Sequence, residues 1–217
     1  MLSFLELCLL TLWLYLSGFL ANTFAMMWGK WLPKTGYGPW PIDGGKMWSD
    51  GNRILGDGKT WNGLIGGSLT SGLLCMLMVW MTDQSVFSTL EDVDTIFASP
   101  ISGASGTWFD TGGEMGTAFL LGTFLGVSCL IGDSVGSFIK RRRGLKREGN
   151  VSSKAPLLDT LPFAIMVFLM GQLFLGQSVL ADNALISSMV VLVIITPVLH
   201  RSFNLIGYGL GWKDVPY

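Results

Sequence analysis

Asp43, Asp50, Asp57 and Lys59 lie in one polar, glycine-rich stretch, PIDGGKMWSDGNRILGDGKTWNGLIGG, from Pro41 to Gly67. Glycines let a backbone approach a ligand closely. Backbone N–H groups and a lysine suit phosphate, and carboxylates suit the magnesium that accompanies it. A second polar cluster begins at Gly132 and reads GDSVGSFIKRRR. There Asp133, Ser137 and Lys140 follow at i, i+4 and i+7, on one helical face. An ionisable group inside an apolar span marks a functional site, because charge there costs up to about 2.5–3.5 kcal/mol. Asp159 lies ahead of the next apolar run and is expected to face the same cavity. Two carboxylates on neighbouring helices can hold one or two metal ions. These residues together point to an enzyme that handles a phosphorylated molecule at a membrane surface.

The elements that position them are membrane spans. Only 13% of the 217 residues are charged, against about 25% in soluble domains. Mean hydropathy is +0.51, and the apolar residues gather into runs near the ~20 needed to cross a bilayer. The expected fold is all-α, one polytopic domain over residues 1–217 with five transmembrane helices. The spans are placed at Phe4–Met27, Leu64–Met81, Met115–Ile139, Leu161–Leu180 and Ala184–Phe203. The N-terminus lacks a basic stretch and a small-residue cleavage site, and reads as a first span. A short turn, Ala181 to Asn183, makes the last two spans antiparallel neighbours.

Charge sets the expected orientation. Lys30, Lys34, Lys46, Arg53 and Lys59 fall in the first loop, about 28–63. Lys140 to Arg143, Lys146, Arg147 and Lys154 fall in the second, about 140–160, and Arg201 and Lys213 near the C-terminus. The loop Thr82 to Glu114 has six acidic residues and no basic one. The N-terminus is therefore expected outside, with both basic loops, the C-terminus and the site facing the cytoplasm of a multi-pass cell-membrane protein. The outer loop, 82–114, is expected to be solvated surface, without regular calcium-binding spacing. Cys8, Cys75 and Cys129 show no CxxC spacing and read as buried thiols.

Gly58-Lys59-Thr60 matches the end of a Walker A loop, but Arg53 stands where its first glycine is required, which excludes a P-loop NTPase. The segment leads into a helix whose N-terminus favours an anion, while Asp57 or Thr60 can cap it. Arg142 and Arg143 read as topology charges attracting anionic lipid. His200 reads as an interfacial or packing histidine.

With these blocks in place, the chain resembles the CDP-archaeol synthase family, the archaeal-lipid branch of the phosphatidate cytidylyltransferase (CDP-diacylglycerol synthase) superfamily. The resemblance is carried by Pro41 to Gly45, Asp50 to Trp61, Gly132 to Ser137 with Lys140-Arg141, Pro156 to Asp159, and the tail Gly207 to Tyr217. Lys59-Thr60-Trp61 with Gly63, Gly66 and Gly67 is similar to a KTWxGxxGG element, and Gly132-Asp133 with Ser137 and Lys140-Arg141 to a GDxxxSxxKR signature. The resemblance implies an Mg²⁺-dependent nucleotidyltransferase of membrane phospholipid biosynthesis. CTP and 2,3-bis-O-geranylgeranylglycerol 1-phosphate, a prenyl-ether glycerol phosphate lipid, would give CDP-archaeol and pyrophosphate. It implies that Asp133 and Asp159 hold the metal, and that Lys140 and Arg141 hold pyrophosphate or lipid phosphate. Asp43, Asp57, Gly58, Lys59, Thr60 and Ser137 would bind nucleotide and phosphate. The chain departs from the pattern at Pro162, where a second acidic residue is expected and span four begins instead. The rival readings are a CDP-alcohol phosphatidyltransferase, which lacks its paired GxxxDxxxD here, and a non-catalytic transporter or lipid-binding protein. No nucleic-acid partner is indicated.

Overall fold

The computed structural model describes residues 2–84, 96–145 and 156–209. Among them are six α-helices: α1 (Phe4–Leu14), α2 (Leu16–Trp31), α3 (Trp61–Asp83), α4 (Glu114–Arg142), α5 (Pro156–Phe174) and α6 (Ile186–Gly209). Four segments, Trp61–Asp83, Glu114–Arg142, Leu157–Phe174 and Asn183–Ser202, are long and apolar enough to cross a membrane. The pair Phe4–Leu14 and Leu16–Thr35 makes a fifth span when taken as one. Outward positions are apolar, as a lipid-facing surface requires. Ile65, Leu69, Leu73 and Leu77 recur every fourth residue along the exposed face of α3, between Trp61 and Trp80.

The first span differs from the single helix expected at Phe4–Met27. It breaks at Tyr15 and bends by 46°. The Tyr15 side chain is fully buried, donates from its hydroxyl to the Leu180 carbonyl at 2.7 Å and packs edge-on to Phe168. A Cβ at Gly171 would come within 2.2 Å of that hydroxyl. The break serves this anchor between the first span and the α5–α6 connection.

Helices α2, α3, α4 and α5 pack through small residues, which substitutes close backbone approach for a hydrophobic driving force that lipid does not supply. A Cβ at Gly66 would meet Trp28 at 2.3 Å, and one at Gly122 would meet the Ser71 carbonyl at 2.5 Å. On the other side of α4, a Cβ at Gly132 or Gly136 would strike the Pro162 or Leu158 carbonyl at 2.4 and 2.5 Å. Pro162 lies inside α5 rather than starting the span. Lacking an N–H, it leaves the Leu158 carbonyl without its helical donor, and that carbonyl is where Gly136 of α4 comes closest. The span expected at Leu161–Leu180 is accordingly shifted to Pro156–Phe174. It is followed by 3₁₀ turns at Val179–Ala181 and Asn183–Leu185 rather than one short turn.

Residues 96–113 of the outer loop are exposed over much of their length, as a surface loop should be, but they are anchored: Pro100 and Phe109 are fully buried, and Trp13 and Trp108 donate to the Ala98 and Phe174 carbonyls at 3.0 and 2.7 Å. The Val179 amide donates to the Ser102 carbonyl at 2.9 Å. Glu91, Asp92, Asp94, Lys146, Arg147, Lys154 and the tail from Leu210 to Tyr217 lie outside the described residues.

Candidate active site

The loop between α2 and α3 closes on itself before it reaches α3. Pro41 pairs with Thr60 and Met47 with Arg53 in isolated antiparallel bridges. The amides of Ile42, Trp48 and Trp61 donate to the carbonyls of Lys59, Asn52 and Trp40 at 2.8–2.9 Å. Asp43 is the hub. Its buried carboxylate accepts from Arg53 Nη2 at 2.7 Å and Nε at 3.2 Å, and from the amides of Gly56, Leu55 and Gly45 at 2.9, 3.0 and 3.1 Å. Burial pushes this carboxyl up, but the guanidinium and the three amides outweigh it and hold the group well below the usual carboxylate range. Arg53 is raised in turn, by its bonds to Asp43 against some burial and by Asp57, whose Oδ1 it meets at 2.7 Å. Five donors on Asp43 and the Arg53 contact on Asp57 make both carboxylates part of the loop's own frame.

Thr60 is the N-cap of α3, accepting from the Gly63 amide at 3.1 Å. Gly58 is exposed at the loop surface and Lys59 is half-buried. The loop therefore delivers Lys59 to α4, where its ammonium pairs with the Asp133 carboxylate. Asp133 and Ser137 are both buried. One turn further, Lys140 of α4 pairs with Asp159 in the first turn of α5. Asp159 is thus inside a helix, not two residues ahead of one, and faces α4 because Gly132 and Gly136 let the two helices touch. Arg141 donates to the Leu145 carbonyl and, at 3.4 Å, to Leu55, where a Cβ on Gly56 would stand 3.2 Å from its Nε. Gly56 has φ +96°, so both its conformation and the arginine beside it favour glycine.

Lys59, Asp133, Ser137, Lys140, Arg141 and Asp159 are thus gathered where the loop, α4 and α5 meet. Among the described residues no three His, Cys, Asp or Glu side chains converge as an all-protein metal cage. Magnesium does not need one. It is commonly held by one or two carboxylates plus substrate phosphates and water, and Asp133 and Asp159 are hard oxygen donors of that kind. Two basic residues that the sequence offered only as orientation or topology charges take part in holding the loop. Arg53 joins Asp43 across ten residues, and that closure depends on the hairpin between them. Arg142 binds the loop rather than serving only as topology charge. His200 lies beside Phe163, ring centroids 6.3 Å apart.

The profile of the CarS-like family, CDP-archaeol synthase, matches residues 4–217. The chain is 37% identical over 177 residues to a CDP-archaeol synthase of Methanosphaerula palustris, covering 82% of this chain and 89% of the relative. Identity is 34% over 206 residues to that of Thermococcus gammatolerans, covering 95% and 94%. To that of Archaeoglobus fulgidus it is 33%, covering 98% and 99%. A solved structure described as an intramembrane enzyme for archaeal membrane lipids biosynthesis has the same fold. Its TM-score is 0.53 at 24% identity, over 89% of this chain and 91% of that one.

Proposed function

This chain belongs to the CDP-archaeol synthase family, and we propose that it transfers a cytidylyl group from CTP to 2,3-bis-O-geranylgeranylglycerol 1-phosphate, releasing pyrophosphate. Membership makes it a multi-pass cytidylyltransferase of archaeal lipid synthesis. The acceptor, the released product, the metal and the side of the membrane are the proposal. The observation that carries it is the joining of the two sequence blocks by the Lys59–Asp133 pair, with Lys140–Asp159 about two turns along α4.

A phosphate oxygen of the lipid attacks the α-phosphorus of CTP, and the bond from that phosphorus to the oxygen bridging it to the β-phosphate breaks. The electron pair leaves with pyrophosphate. Such a transfer needs positioning and charge neutralisation rather than a covalent enzyme intermediate. Lys59 and the Thr60 hydroxyl, presented at the start of α3, meet the triphosphate, and the positive end of the helix dipole favours it. Lys140 and Arg141 neutralise the departing pyrophosphate or the lipid phosphate. Asp133 and Asp159 would hold Mg²⁺, which when bound would neutralise phosphate charge. Ser137 hydrogen-bonds within the site, and Asp43 and Asp57 act through the loop they brace. The basic residues of both loops support a site facing the cytoplasm.

The test is pyrophosphate release by the purified chain with CTP, Mg²⁺ and the prenyl-ether glycerol phosphate, with a diacyl phosphatidic acid in parallel. Release is expected with the ether lipid and is expected to fall about 10²-fold or more in Asp133→Asn. A folded wild-type protein that releases no pyrophosphate with either lipid would overturn the assignment.

A further inference from the structure

Arg142, the last residue of α4, lies just past the GDxxxSxxKR signature and contacts the loop at Trp48, Asp50, Asn52 and Arg53. Its Nη1 donates to Asp50 Oδ1 at 2.5 Å. Its Nη2 donates to the Arg53 carbonyl at 2.6 Å and to the Asn52 carbonyl at 3.4 Å. The guanidinium lies 5.5 Å from the centroid of Trp48 and 5.2 Å from that of Phe138, within the range of cation–π attraction. Those two rings pack edge to face at 5.6 Å. Asp50 is braced in turn: it accepts from the Asn52 amide at 3.0 Å, which with Arg142 holds its carboxyl below the ordinary range against slight burial.

We infer that Arg142 is a positioning residue for the nucleotide. It grips the loop at Asn52 and Arg53, and Arg53 braces Asp43 and Asp57. Asp43 fixes the amides of Leu55 and Gly56, four and three residues ahead of Lys59. The end of α4 thereby sets where the loop holds Lys59 and Thr60, while α4 itself carries Asp133. A guanidinium suits this task and an ammonium does not, because only the planar fork reaches two carbonyls and a carboxylate while lying within cation–π range of two rings. This inference rests on the proposal that Lys59 and Thr60 meet the triphosphate.

The experiment measures CTP affinity of the full chain by equilibrium binding without lipid, together with KM for CTP and for lipid phosphate. Arg142→Lys keeps the charge and is expected to weaken CTP binding about tenfold. KM for the lipid and kcat should stay within about threefold. Arg143→Gln, which removes a neighbouring exposed charge, is expected to change CTP affinity less than twofold. A merely structural Arg142 would lower the folded fraction and leave the affinity of folded protein unchanged, and that result overturns the inference. Equal weakening by Arg142→Lys and Arg143→Gln would also overturn it, as bulk charge. If Arg142→Lys does not fold, Asp50→Asn serves, with CTP binding about threefold weaker expected and no change refuting. Failure of the wild type to bind CTP would instead overturn the function proposed above.

Discussion

Asp43→Asn tests whether the loop is a built element rather than a tether. The substitution keeps size and shape, but it removes the charge opposite Arg53 and puts an NH₂ where one carboxylate oxygen accepts. The Asp43 side chain is fully buried, and Arg53 is 22% exposed and retains Asp57. Breaking a buried pair costs about 3–5 kcal/mol; the exposure of Arg53 and its second partner place this case near about 3 kcal/mol. The helices do not depend on Asp43, so the cost falls on local opening of residues 41–60. About 3 kcal/mol is about a hundredfold in the open population. Hydrogen exchange at the Leu55 and Gly56 amides reads it directly, since both donate to Asp43. Protection there should fall about a hundredfold with helix content unchanged. The pH dependence has a fixed sign. The folded carboxyl is depressed below its usual range, so its stabilisation is complete above the ordinary carboxylate pKa. It is lost only as pH falls through the still lower folded value. Protection, corrected for intrinsic exchange, should therefore be flat from pH 7 to about pH 5 and decline only below the ordinary range. Unchanged protection in Asp43→Asn, or a decline centred near neutral pH in the wild type, would refute the argument.

Two further substitutions address the helical frame. Tyr15→Phe removes the 2.7 Å bond to the Leu180 carbonyl but leaves Gln172 Nε2 at 3.4 Å from it. It should destabilise the protein in detergent unfolding by about 1 kcal/mol, and a neutral result would mean that the helix break does not depend on this anchor. Gly132→Val puts a side chain against the Pro162 carbonyl, so α4 and α5 must separate, at about 1–3 kcal/mol and with loss of pyrophosphate release. Gly113→Ala, which meets nothing within 4 Å, should leave pyrophosphate release unchanged and cost at most about 1 kcal/mol, as the N-cap of α4.

The sequence by itself determined the class of fold and singled out the candidate site residues. Long apolar runs leave helices as the economical way to satisfy backbone groups in lipid, and ionisable groups at their ends are costly enough to mark a site. Asp133, Asp159, Lys59 and Lys140 were legible on those grounds together with their motif spacing. Their pairing was not. Lys59 meets Asp133 across 74 residues because a loop closed around Asp43 and Arg53 presents it to α4. Lys140 meets Asp159 because Gly132 and Gly136 allow close approach to a helix that begins at Pro156 rather than at Leu161. The bend at Tyr15 and the packing of residues 96–113 were likewise decided by tertiary contacts, with carbonyls of the α5–α6 connection and its neighbours. Periodicity reports which face of one helix is apolar. It does not report which distant carbonyl or carboxylate will stand opposite, and in this protein that depends on how closely the glycines let the backbones approach.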